Sequence, residues 1–289
     1  MNPSFSSSPR LVTQLDEVRA AIAAARRDGK TVGLVATMGA LHAGHLSLVE
    51  RSRQECGFTV VTIFVNPTQF GPREDFARYP RNLQTDLALL GPTGADVVFA
   101  PEAGDVYGPQ HATYVEMHGV AEPWEGRCRP GHFRGVATVV LKLFNMVAPD
   151  RAYFGQKDYQ QSLVIRRLVA DLDLPIEVCV CPTVREPDGL ALSSRNVYLS
   201  PTEREDALAI GRALRRAAEL VQSGQREAAA VAEAMRAILA AAPGLRVEYL
   251  AVVDAETLQA IATIDRTVLA AIAAFVGPTR LIDNTLLSP

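Results

Sequence analysis

The sequence predicts an α/β domain built on a parallel sheet over residues 1–184, followed by a smaller α+β domain over residues 185–289. Three observations carry that expectation. Short apolar runs alternate with helix-like stretches through the first part of the chain, and strands that take turns with helices imply parallel βαβ units with right-handed crossovers. One of the runs, FTVVTIFV at 58–65, is apolar or β-branched throughout, as a strand covered on both faces should be. Beyond residue 200 the character changes to two long Ala/Arg/Glu helices and then strand-like stretches, the last two so close that a hairpin is the economical link.

Taken in order, residues 1–10 read as a loose tail. Thr13, with Asp16 three residues on, resembles a capping box that opens an Ala-rich helix to about Arg27. Asp28-Gly29-Lys30 then turns the chain into a first strand over 31–36. That strand runs into the small-residue turn Thr37-Met38-Gly39-Ala40 and a helix that starts near His42 and ends near Cys56. A helix start leaves backbone N–H groups unpaired and carries the positive end of the helix dipole, so phosphate can sit at this corner. Gly39 and Gly44 let a ligand approach the backbone. His42 and His45, three apart, fall on one side of the helix within reach of one ligand. Zinc is disfavoured, because HAGH lacks the spacing and internal Glu of HExxH.

The strand at 58–65 ends in the polar loop NPTQFGP, 66–72, at the strand edge where open α/β sheets bind ligands. A helix over 82–90 and a strand over 96–100 continue the alternation. GVAEPWEGRCRPGHFRG, 119–135, then collects Trp124, Arg127, Arg129, His132 and Arg134 among Gly and Pro. Alone it reads as a solvated loop; beside a phosphate site its cations gain a purpose. An apolar helix over 136–147 and a strand over 151–154 lead to Gly155-Gln156-Lys157-Asp158, which opens a helix over 158–170 and repeats the first corner, with Lys157 as a point charge. A strand over 176–181 leads into REPDGLALSSRN, 185–196, where Asp188-Gly189 signals a turn and Ser193, Ser194 and Arg195 set hydroxyls beside a guanidinium. A hinge just before this loop, near 184, suits a lid. Helices over 202–224 and 226–242 and strands over 245–254, 267–277 and 279–287 complete the chain.

Composition narrows the function. With 48% hydrophobic and 21% charged residues the chain is ordinary for a globular protein, and its net charge of −3 argues against nucleic acid as a partner. The cysteines at 56, 128, 179 and 181 form no CxxC; Cys179 and Cys181 alternate with Val178 and Val180 and read as small core residues with free thiols. No apolar leader region heads the chain and no run reaches membrane-span length, so the expectation is a cytoplasmic protein without a membrane partner.

Five ordered segments, TMGALHAGH (37–45), FVNPTQF (64–70), RPGHFRGV (129–136), FGQKDYQQ (154–161) and REPDGLALSSRN (185–196), together resemble the pantothenate synthetases. The resemblance covers nearly the whole chain from about residue 11. It implies a Rossmann-like nucleotidyltransferase domain with a HxGH signature, which binds ATP and pantoate, and a C-terminal lid. It also implies condensation of pantoate with β-alanine, using ATP and Mg²⁺, through an enzyme-bound pantoyl adenylate on the way to coenzyme A, by a homodimer. Carried over residue by residue, the ATP-binding positions fall on Met38, Gly39, Ala40, Leu41, His42, Ala43, Gly44 and His45, on Gly155, Gln156, Lys157 and Asp158, on Val184, and on Leu192, Ser193, Ser194 and Arg195. The general acid of nucleotide transfer corresponds to His45. Gln69 and Gln161 match the residues that hold pantoate, with Gln69 also near the β-alanine position, and Asn66, Tyr79 and Arg129 match other pocket positions. Asp86 matches a magnesium-associated carboxylate.

The chain departs from the family pattern at Ala36, where many members have Pro, at Gln156 for Glu, at Leu192 for Met, and at Thr85, where some members carry a second acid. With Thr85 in that place, Asp86 is the single carboxylate expected at the metal. Mg²⁺ keeps several waters and binds substrate phosphates, so one can suffice.

Carboxylate activation of this kind proceeds by in-line attack on the α-phosphorus, so catalysis is mainly positioning and charge stabilisation. His42, His45, Lys157 and Arg195 are the catalytic candidates. His45 and Lys157 are expected at the α- and β-phosphates, with Ser193, Ser194 and Arg195 closing over the nucleotide. The rival readings are another adenylyl- or cytidylyl-transferring enzyme of the same fold, and a non-catalytic nucleotide-binding module. Lysine and histidine at phosphate-directed helix starts favour turnover over mere binding.

Overall fold

A computed structural model describes residues 8–72, 74 and 76–289 of the chain. The first seven residues of the expected tail lie outside them. Two compact units emerge: one takes the chain up to Gly155 together with Gln160–Cys181, the other takes Gln156–Tyr159 together with Pro182–Pro289.

The first unit runs β1 (Arg10–Val12), α1 (Leu15–Arg27), β2 (Val32–Thr37), α2 (Ala43–Glu55), β3 (Phe58–Ile63), α3 (Leu83–Leu90), β4 (Val97–Phe99), the short α4 (Ala103–Val106) and α5 (Glu125–Cys128), α6 (His132–Val147), β5 (Arg151–Gly155), α7 (Tyr159–Asp171) and β6 (Glu177–Cys181). Its six strands lie in the order β1-β4-β3-β2-β5-β6, and every pairing is parallel. The α/β expectation therefore holds, and the reason is legible in the side chains. In β2, Leu34 joins a core cluster with Val18, Ile22, Val140 and Val164, whereas Val35 joins a separate one with Leu48, Val49 and Leu90. The same alternation divides Val60 from Val61 in β3 and Val97 from Val98 in β4. Successive strand residues point to opposite faces, so α1, α6 and α7 cover one face of the sheet and α2 and α3 the other.

Three local expectations needed correction. A strand occupies Arg10–Val12, at the end of the expected tail, and pairs with β4 from Arg10↔Val97 to Val12↔Phe99. α1 is capped by Gln14, not Thr13, and the box partner is Glu17, whose Oε2 meets the Gln14 N–H at 3.5 Å. α6 starts four residues earlier than the apolar run suggests, because Gly131 takes the left-handed conformation (φ 83°) that turns the chain into the helix at His132.

The second unit carries α8 (Pro201–Gln222), α9 (Ala228–Ala240), β7 (Leu245–Asp254), β8 (Val268–Val276) and β9 (Thr279–Leu287). The three strands form one antiparallel sheet, β7-β8-β9, with the expected hairpin between β8 and β9. Ser200 and Glu203 cap α8 reciprocally, with Pro201 at its first turn. One apolar cluster joins both helices to the sheet: Ala207, Ala213, Ala217, Val231 and Met235 pack with Ala270, Ile272 and Ala274. This is the smaller α+β unit that the sequence predicts. Among the described residues no helix is long and apolar enough to cross a membrane.

Candidate active site

The corner between β2 and α2 is built residue by residue from polar braces. Thr37 Oγ1 donates to the Thr62 carbonyl at 2.6 Å and accepts the Gly39 N–H at 3.2 Å, tying the end of β2 to β3. The backbone then takes two successive left-handed steps, Gly39 at φ 81° and Ala40 at φ 51°. For a residue with a Cβ such a step costs roughly 1–2 kcal/mol, so something must hold Ala40 there. That something is Asp86 from α3, 3% exposed, which accepts the Ala40 N–H on Oδ2 at 3.1 Å and the Leu41 N–H on Oδ1 at 2.8 Å. Burial lifts the Asp86 carboxyl above its usual range, and the two N–H bonds only partly offset that.

The histidines are oriented by the backbone of their own helix start. His42 is the N-cap of α2, and its Nδ1 accepts the Gly44 N–H at 3.1 Å; the Nδ1 of His45 accepts the His42 N–H at 3.3 Å. This is a capping box made of two imidazoles, whose ring centroids lie 4.1 Å apart. A ring whose Nδ1 accepts carries its neutral-state proton on Nε2. Both rings are thus set as Nε2–H donors. The helix-start amides, by contrast, are largely engaged: Gly44 with His42 Nδ1, and His45 with the His42 carbonyl at 2.8 Å. Donation to an anion at this corner falls to the imidazoles more than the bare helix terminus suggests.

Beyond β3 the polar loop forms a fixed platform. Asn66, 1% exposed, donates from Nδ2 to Gln69 Oε1 at 3.0 Å and to the Gly135 carbonyl at 3.2 Å, while its Oδ1 accepts from Tyr107 OH at 2.8 Å and from Thr68. Gln69 Nε2 reaches Met38 Sδ at 3.0 Å, which joins this loop to the first corner. α6 can lie against the loop only because residue 135 is Gly: a Cβ there would come within 2.4 Å of the Thr68 carbonyl.

Behind Gln69 stands a relay absent from the sequence reading. Arg129 Nη1 lies 3.1 Å from His132 Nε2, and His132 Nδ1 lies 2.9 Å from the Gln69 carbonyl. A guanidinium only donates, so Nε2 accepts and Nδ1 carries the proton. Burial, with the Arg129 charge, pushes the His132 pKa down to about 4, leaving it neutral at ordinary pH. Arg129 itself forks onto Glu74 at 3.0 and 2.6 Å and lies 3.8 Å from Glu125. Burial would raise the Glu74 carboxyl, but Arg129 outweighs it and holds the group below its usual range. Arg129, expected among the pocket residues, thus has its charge balanced by two acids and acts on Gln69 through His132.

Tyr79 is buried and meets the Phe70 ring edge-on at 5.8 Å. Gln161 is half-buried on α7. Its neighbour Gln160 is fully engaged, donating to the Val120 and Pro123 carbonyls and accepting the Glu125 N–H.

Gly155 ends β5 in the first unit, and the remaining candidates belong to the second. Lys157 sits in a 3-10 turn, Gln156–Asp158, between β5 and α7. Asn284 of β9, 4% exposed, donates to the Gln156 carbonyl at 3.0 Å and to the Lys157 carbonyl at 2.8 Å, and Tyr159 OH donates to the Ala255 carbonyl at 3.0 Å. The loop that holds Val184 is a tight hairpin: Leu192 N–H meets the Val184 carbonyl at 3.0 Å, and Glu186 N–H the Leu190 carbonyl at 2.8 Å. Gly189 at φ 94° makes the turn that Asp188-Gly189 signals. Arg185 forks onto Asp283 at 2.6 and 3.1 Å, and Arg204 bonds both Glu186 and Asp188. Ser193, Ser194 and Arg195 follow as a turn in which Ser193 Oγ accepts the Arg195 N–H at 3.3 Å, closed by buried Asn196. Adjacent residues of β9, Asp283 and Asn284, therefore anchor the hairpin before Ser193 and the turn of Lys157 respectively.

Comparison with known proteins adds to this geometry. Residues 10–286 match the family model described as pantoate-beta-alanine ligase. The chain is 55% identical to the pantothenate synthetase of Moorella thermoacetica over 277 residues, covering 96% of this chain and 98% of that protein. It superposes on the crystal structure of pantothenate synthetase from Thermus thermophilus with a TM-score of 0.92 at 49% identity, covering 97% and 100% of the two chains. A third similarity is to pantoate-beta-alanine ligase from Francisella tularensis, crystallised with beta-gamma ATP and beta-alanine: TM-score 0.79, 34% identity, 96% and 97% coverage.

Proposed function

The chain belongs to the pantoate-beta-alanine ligase family, and from that premise we propose how its residues carry the reaction. The enzyme is a ligase that condenses pantoate with β-alanine at the expense of ATP, giving pantothenate, AMP and pyrophosphate. A pantoate carboxylate oxygen attacks the α-phosphorus and the bond to pyrophosphate breaks; the β-alanine amine then attacks the acyl carbon, AMP leaves with the electron pair, and the ammonium proton is lost. ATP and β-alanine as ligands are supported by the Francisella tularensis complex, from a protein 34% identical to this one.

The observation that carries the reading is the imidazole pair. His42 and His45, each with Nδ1 occupied by a backbone N–H, present Nε2–H where negative charge grows on the α-phosphate. By the family resemblance Lys157 and Arg195 are the cations assigned to ATP, and Met38 to His45, Gly155 to Asp158, Val184 and Leu192 to Ser194 its other binding positions. Gln69, held from three sides by Asn66, Met38 and His132, supplies a fixed amide for the hydroxyls and carboxylate of pantoate, with Gln161, Asn66, Tyr79 and Arg129 around it. Shielding the mixed anhydride from water falls to the lid, residues 185–289. A homodimer in the cytoplasm completes the proposal, on the family resemblance alone.

The Mg²⁺ implied by the family has a weak claim on the protein. Both oxygens of Asp86, the one carboxylate expected there, are bonded to backbone N–H. In this reading the cation is held by the phosphates of the nucleotide.

ATP–pyrophosphate exchange with pantoate, β-alanine left out, tests the acyl-adenylate step. Pantoate-dependent exchange is expected, with AMP and pantothenate released once β-alanine is added. Neither exchange nor AMP release would overturn the assignment of pantoate.

A further inference from the structure

The carboxylate of Asp86 has the right address for a metal and the wrong surroundings. It is 3% exposed, and an ion that keeps several of its waters needs more room than that. Its Oδ2 is packed against residue 39, where even a methyl group would come within 2.9 Å, and both oxygens receive a backbone N–H from the adjoining segment. Its charge has support without a cation. Asp86 stands in the first turn of α3, near the positive end of that helix, whose start is closed by Asn82 accepting the Thr85 N–H at 3.1 Å.

The segment that Asp86 grips is the one that needs gripping. Gly39 and Ala40 both lie in the left-handed region, and a non-glycine residue stays there only when its surroundings over-determine it. Thr37 fixes the segment at its start. At its end the His45 ring holds the His42 N–H and the His42 ring holds that of Gly44. Between these, the N–H groups of Ala40 and Leu41 are both turned toward one carboxylate.

We propose that Asp86 is a positioning residue that clamps Ala40 and Leu41, so that the backbone entering α2 presents His42 and His45 to the phosphates, and that it is not a ligand of Mg²⁺. This rests on the reading that ATP binds at this corner. The role differs from a metal ligand's in what it does to nucleotide carrying no metal. A clamp matters to bare ATP and to its magnesium complex alike. A metal ligand matters only to the complex, and its negative charge opposes bare ATP.

Calorimetric titration of wild type, Asp86→Asn and Gly39→Ala with ATP, once in EDTA and once in excess Mg²⁺, separates the two. Asn keeps one acceptor but places an amide against the other N–H, and the methyl of Gly39→Ala presses on Oδ2. Loss of a hydrogen bond to a charged group corresponds to about tenfold in affinity. That loss is expected in both variants with and without metal, leaving the ratio of the two affinities as in wild type. A variant Asp86→Asn that binds metal-free ATP as wild type does, and loses only the gain from Mg²⁺, overturns the clamp. Amide hydrogen exchange on wild type supplies a readout that needs neither variant nor nucleotide: Ala40 and Leu41 should be protected, and exchange at the rate of an open loop also overturns the proposal. Wild type that fails to bind ATP at all counts against the site's reading instead, and the exchange rates then decide the clamp by themselves.

Discussion

The two strand-to-helix corners look alike in sequence and are braced in opposite ways. The corner after β2 passes through two left-handed residues and is held by a carboxylate, Asp86, that accepts backbone N–H groups from within its own unit. The corner after β5 passes through a 3-10 turn and is held by an amide, Asn284, that donates to backbone carbonyls from a strand more than a hundred residues further along the chain. An acceptor brace consumes donors and a donor brace consumes acceptors. The histidine corner therefore turns to side-chain Nε2–H groups, whereas in the lysine corner the carbonyls, not the amides, are what Asn284 engages.

The comparison can be broken first at His45. His45→Ala removes both an Nε2–H and the acceptor for the His42 N–H, and pyrophosphate exchange should fall by roughly a hundredfold or more, as loss of an acid–base or oxyanion-type group does. The fold should survive, since His45 is half-buried at a ligand site outside the core clusters. A wild-type exchange rate in a folded variant would remove the histidine corner from the chemistry.

The next effect is on stability and belongs to the platform beside the first corner. The His132 pKa is about 4 in the folded chain against 6.5 for the free group. A depressed pKa means that the unfolded chain takes up the proton first. The stabilisation is therefore whole above pH 6.5 and drains away as pH falls toward 4, by up to about 3 kcal/mol. Urea unfolding of wild type and His132→Gln across that window checks it. Gln retains a donor and an acceptor but does not titrate, so the difference between the two curves should shrink as the pH is lowered. Parallel curves would show that His132 is not held neutral.

The smallest effect sharpens the contrast. Asn284→Ala leaves two part-buried carbonyls without their donor and should cost about 1 kcal/mol of stability, while nucleotide affinity weakens through Lys157. Exchange at Ala40 and Leu41 should not change. If those amides were released as well, the two braces would not be independent.

The fold was legible because continuous apolar and β-branched runs, taking turns with helix-like stretches, report directly on a parallel sheet covered from both sides. β1 escaped because it is three residues long with one buried side chain, too short to stand out as an apolar run. HAGH was legible as an oriented pair, although its spacing could not show that each ring accepts a backbone N–H of the helix start, His42 from Gly44 and His45 from His42. Asp86, Glu74, His132 and Asn284 act on partners 45 or 46, 55, 63 and 127 or 128 residues away. A brace between a side chain and a distant backbone leaves no mark in the local pattern, so nothing in the local sequence marks Asp86, matched to magnesium by family resemblance only, or Asn284 as a brace. Arg129 was seen as a cation, but not the acids that balance it.

The interleaving at Gln156–Tyr159 bears on how such a protein can be modified by recombination. A gene cut at codon 184 looks like a clean junction, yet the upstream piece would carry the lysine turn without Asn284 or the Ala255 carbonyl that seat it, and the downstream piece would arrive with those seats empty. Shuffling between relatives at that junction therefore keeps the seat of the lysine turn only where one parent supplies the amide of residue 284 and the other the hydroxyl of residue 159.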